Sequence, residues 1–152
     1  MTDKSVFTDD EWHAVTEAPL LVTTAVFYAG EHGPISLLKE ASASARAITR
    51  PGEHGVANEL IGEIVAEANT KEARAEIREH RGPTPQAAIE DALKELAPAA
   101  AALKKLPAEE AAEIAKWFVA IGEAVAASAK TVNPDERATI DKIAALFGVS
   151  AA

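Results

Sequence analysis

The chain has 152 residues, with 24 acidic residues against 15 basic ones and a formal net charge of −9. Hydrophobic residues make up 48% of the chain, which excludes a disordered protein, and the negative surface disfavours nucleic acid and anionic membranes as partners. The chain contains no cysteine, which excludes disulfides, thiolate catalysis and cysteine-ligated metal sites.

The length predicts one helical domain over residues 1–152, with flexible ends over 1–7 and 150–152. The first residues lack the basic region and apolar stretch of a signal peptide. The longest apolar run, 19–29, is too short to span a bilayer. We therefore expect a cytoplasmic location and a protein partner, and no membrane or nucleic-acid partner.

Helix starts and stops are well marked in the N-terminal part. Thr8 and Glu11 have the spacing of a capping box, which predicts the start of the first helix. Pro19 lies inside the apolar pattern of this helix and predicts a kink or break near Glu17. Gly30 predicts the end of the helix, and Pro34 is placed to open a second one.

The middle of the chain contains one clear helix and one ambiguous segment. Apolar residues recur at helical spacing from Leu60 to Ala68, which predicts the third helix. The segment 70–81 favours a helix but mixes arginine and lysine with glutamate. It either extends the third helix or forms a separate one. Such a face is usually solvated, and the alternative is a docking surface for a partner protein.

Three further helices are predicted in the C-terminal part. Pro85 opens the first, which Pro98 is expected to kink, and Pro107 opens the second. The second carries the strongest apolar stripe and is expected to be central; its stripe consists of Ile114, Trp117, Phe118, Ile121 and Val125. Pro134 opens the last helix, and Gly148 ends it.

The resulting fold class is all-α. No segment shows the alternation of polar and apolar residues that is typical of a strand. We expect a single-domain antiparallel bundle of six to seven helices, some of them kinked by proline.

Histidines follow glutamates near three predicted helix ends. If the helices alternate in direction, the joints near residues 32, 82 and 132 lie at one end of the bundle. Carboxylate and imidazole groups collected there could bind a divalent cation. The candidate metal ligands are Glu31, His32, Glu79, His80, Asp135 and Glu136. The alternative is that the histidines interact with the last carbonyls of their helices.

No pattern of a known catalytic site is found. The Glu-x-x-His spacing of di-iron bundles does not occur, and no serine lies in a Gly-x-Ser-x-Gly turn. Glycine-rich phosphate loops are absent as well. These patterns predict a non-enzymatic protein with no cofactor, apart from the divalent cation considered above.

The C-terminal third resembles the tellurite-resistance TerB-like family. The resemblance covers residues 117–127, 132–137 and 140–149. The family has a helix ending in a Val-Ala-x-Ala-type run, a Ser/Asn-Pro-x-Glu cap and a closing Leu-x-x-Ile-Ala-x-x-Leu-Gly helix, and residues 133–136 match the cap. Residues 25–36 look like a weaker second copy of the same arrangement. The resemblance covers about 35 residues well.

The resemblance implies an all-helical, non-enzymatic protein that serves in stress response or assembly and binds metal through acids. Glu136 matches the cap acid of the family, whereas the stretch after the alanine-rich run, 127–129, lacks the usual aspartate. Two functions are therefore carried forward. The first is a TerB-like protein that acts through contacts and binds divalent cations weakly; the second is a metal-free interaction module or scaffold that uses the 70–81 helix.

Overall fold

The computed structural model of the protein describes residues 4–29, 59–68, 85–127 and 134–149. Over these ranges the chain is helical and contains no strand, so the all-α fold class is confirmed. A 3₁₀ turn (Lys4–Val6) precedes five α-helices: α1 (Asp9–Ala29), α2 (Glu59–Ala68), α3 (Pro85–Leu103), α4 (Ala108–Ala127) and α5 (Pro134–Leu146).

The total of six to seven helices stays a prediction. The helix predicted to open at Pro34 and the charged segment 70–81 both lie outside the described residues. The predicted third helix is present as α2. The helices predicted to open at Pro85 and Pro134 begin at those residues, and α4 begins one residue after Pro107.

The start of α1 is fixed by the predicted capping box. The Thr8 N–H donates to Glu11 Oε1 at 2.8 Å, and the Glu11 N–H donates to Thr8 Oγ1 at 3.2 Å. Just before this box, Phe7 is buried and stacks on Trp12 with ring centroids 6.0 Å apart. This packing places Phe7 against the bundle, and the flexibility expected for residues 1–7 stays a prediction.

Of the two outcomes predicted at Pro19, a kink or a break, the break does not occur, and the kinks at Pro19 and Pro98 stay predictions. Pro19 lies inside the uninterrupted helix α1, and Pro98 lies inside α3 in the same way. A proline within a helix removes one hydrogen bond and costs about 3 kcal/mol. Val15, Ala18 and Val22 surround Pro19 and are fully buried. Burial of these side chains offsets the cost and keeps α1 continuous.

Among the helices that the structure describes, α1 is the most central, whereas the sequence predicts this role for α4. α1 packs against each of the other four α-helices, and α4 packs mainly against α1 and α5. The reason is that apolar side chains surround much of α1, so it needs neighbours on several sides. The predicted stripe on α4 is nevertheless completely buried: Ile114, Trp117, Phe118, Ile121 and Val125.

Gly122 allows three helices to meet closely. A Cβ atom at this position of α4 would lie 3.2 Å from Val22 Cγ1 and 3.2 Å from Val26 Cγ2, both on α1. It would also lie 3.6 Å from Ile140 Cγ1 on α5. The missing side chain therefore lets α1, α4 and α5 approach one another at the level of Gly122.

Contacts along α4 and α5 fix their antiparallel arrangement. Phe118 on α4 packs against Phe147 with ring centroids 5.2 Å apart, and Arg137 reaches Glu123 at 3.5 Å. The end of α5 is set by Gly148, whose φ of 70° is the left-handed conformation that favours glycine. The Val149 N–H then folds back to donate to the Ala144 carbonyl.

An ion pair joins the turn between α3 and α4 to the start of α1. Lys105 Nζ contacts the carboxylate of Glu11, 94 residues away in the chain. The end of α3 thus lies beside the start of α1, so these two helices are antiparallel. Combined with the α4–α5 contacts, this arrangement places the end of α1 and the start of α5 at the same end of the bundle.

Leucine substitutions at two helical glycines test the close approach at Gly122. Gly122→Leu should lower the free energy of unfolding by about 1–3 kcal/mol, because the added side chain overpacks the α1–α4–α5 contact. Gly62→Leu is the matched control on α2: a Cβ there meets nothing within 4 Å. It should raise the free energy of unfolding by about 0.5–1 kcal/mol through helix propensity. Chemical denaturation measures both, and a stabilising Gly122→Leu would contradict the contact.

The Glu11 contacts predict how stability depends on pH. The hydrogen bond from Lys105, followed by that from the Thr8 backbone, lowers the pKa of Glu11 from its ordinary value of 4.5. A carboxyl group whose pKa is lowered by folding stabilises the folded state. This stabilisation is complete at pH values above the ordinary pKa, and it is lost as the pH falls through the pKa of the folded state. Wild type should therefore exceed Glu11→Gln in melting temperature at neutral pH, and the difference should vanish in acid. A difference that stays constant across an acid titration of the melting temperature would refute this prediction.

Candidate functional site

The described residues include two of the six predicted metal ligands. Asp135 and Glu136 lie in the first turn of α5, where Asp135 is exposed and Glu136 is 2% exposed. Glu31, His32, Glu79 and His80 lie outside the described residues. Among the residues that the structure describes, no three histidine or acidic side chains are placed to hold a metal ion.

Glu136 is the most deeply buried charged side chain of the described residues. Its position in the first turn of α5 is favourable for a carboxylate, because the helix dipole is positive there. Burying a carboxylate costs free energy unless it has a partner, and Glu136 has one. The favourable helix dipole at the start of α5 and a role as a metal ligand would therefore each account for the burial of Glu136.

The end of α1 lies at the same end of the bundle as Glu136. α1 finishes at Ala29, and α5 starts at Pro134. The predicted alternation of helix directions is found for α1, α3, α4 and α5. The approach of Glu31 and His32 to Glu136 stays a prediction, because Glu31 and His32 lie outside the described residues.

A second polar group lies on α1. His13 Nε2 is 3.1 Å from Glu17 Oε1, and the Glu17 side chain is 11% exposed while that of His13 is 50% exposed. The Thr16 hydroxyl donates to the His13 carbonyl at 3.0 Å. Both contacts lie within α1, beside the core.

The described residues form an apolar groove of about 580 Å³. It lies at the corner where α3 ends, α4 begins and α5 ends, and we call it the corner groove. Its apolar lining includes Leu103, Leu106, Ala111, Leu146, Phe147 and Val149.

The corner groove is open to solvent and almost free of charge. Leu103 and Leu106 are buried at its base, whereas Leu146, Phe147 and Val149 keep part of their surface exposed. Lys104 is the charged residue of its lining. A surface of this kind can hold an apolar side chain or helix face from another molecule, since burial of such surface is favourable.

Sequence patterns do not reveal the corner groove. Phe147 continues the apolar spacing of Ile140, Ile143 and Ala144, which predicts that it faces the core. The available signal is the density of small residues on both sides of Pro107: alanines occupy 99–102, 108, 111 and 112. Small side chains at a helix corner leave space that larger ones would fill.

The chain matches no known protein family, no curated protein and no solved structure. The TerB-like resemblance of the C-terminal third therefore stays a prediction. No helix among the described residues is long and apolar enough to cross a membrane. The charged 70–81 segment, the alternative docking surface, lies outside the described residues and also stays a prediction.

Proposed function

We propose that the chain acts by binding a partner protein and that the corner groove is its binding surface. The observation that carries this proposal is the groove of about 580 Å³ with the partly exposed Leu146, Phe147 and Val149 along it. Contiguous apolar surface that is open to water marks sites of interaction in folded proteins. In line with the TerB-like resemblance, the proposed role is in stress response or in assembly.

The chemistry of the groove supports contact over catalysis. General acid–base catalysis needs ionisable groups within reach of a substrate, and enzymes usually set two such groups against each other. Among the described residues that line the corner groove, Lys104 is the one ionisable group. The alanines of its rim let another backbone approach closely, which favours a protein partner.

Site-specific photo-crosslinking in cells of the source organism tests the proposal. A photoreactive amino acid at position 145, which lines the groove, should yield a discrete crosslinked species. The same amino acid at Ala138, an exposed residue two turns earlier on α5 and outside the lining, is the matched control and should yield none.

A second substitution ties the crosslink to the groove. Ala108→Trp on the exposed rim should suppress the crosslink at position 145 by filling the groove, while circular dichroism stays that of the wild type. Equal crosslinking from positions 138 and 145, or a crosslink that persists with Ala108→Trp, would argue against the groove as the binding surface.

A divalent-cation site at the opposite end of the bundle is the second candidate function. The supporting observation is that Glu136 is buried at the end of the bundle where α1 ends. The last residue of α1, Ala29, lies two residues before Glu31 in the chain. The proposed ligand set is the one predicted from the sequence: Glu31, His32, Glu79, His80, Asp135 and Glu136. Such a site would bind weakly and would keep several water ligands.

Calorimetric titration with divalent cations tests this second candidate. Wild type should bind in the millimolar range or tighter, and Glu136→Gln should weaken binding at least about ten-fold through loss of a ligand charge. Asp141→Asn, an exposed acid on the same helix, should bind as wild type does. Absence of binding heat for every divalent cation at millimolar concentration would eliminate the cation function.

A further inference from the structure

We draw no further inference here: the strongest candidate, the apolar corner groove where α3 ends, α4 begins and α5 ends, belongs to the site already described, and nothing among the described residues shows what covers it.

Discussion

The close contact of α1 with α4 and α5 at Gly122 is the constraint on which the remaining structure depends. A Cβ there would lie 3.2 Å from Val22 and Val26, so the helices meet where one side chain is missing. Because α1 is buried on several sides, its position decides where the other helices lie. Continuity of α1 through Pro19 follows from the same packing, since a break would expose the apolar surface on both sides.

The corner groove is a consequence of this arrangement. The Lys105–Glu11 pair holds the turn after α3 against the start of α1, and Gly148 stops α5 near the same corner. Alanines fill the space between the three helix ends only partly, which leaves Leu146 and Val149 in contact with water. One end of the bundle thus offers an apolar surface, and the other holds the buried Glu136.

Local features were predictable from the sequence, and long-range ones were not. The capping box of Thr8 and Glu11 and the stop at Gly148 involve residues within five positions of each other, so local patterns determine them. The central role of α1 depends on which helices surround it, and a strong apolar stripe on α4 points to the wrong one. The groove needs three helix ends that are distant in the chain. Of the six predicted metal ligands, the structure describes only Asp135 and Glu136. The other four residues lie outside the described ranges.

Native-state amide hydrogen exchange tests the central role of α1 most directly. If α1 is the element on which the bundle depends, amides from Ala18 to Val26 should exchange only through global unfolding and should be the slowest of the chain. Their exchange free energy should match the free energy of unfolding from denaturation. Exchange of these amides by local opening, with α3 and α4 still protected, would contradict the account.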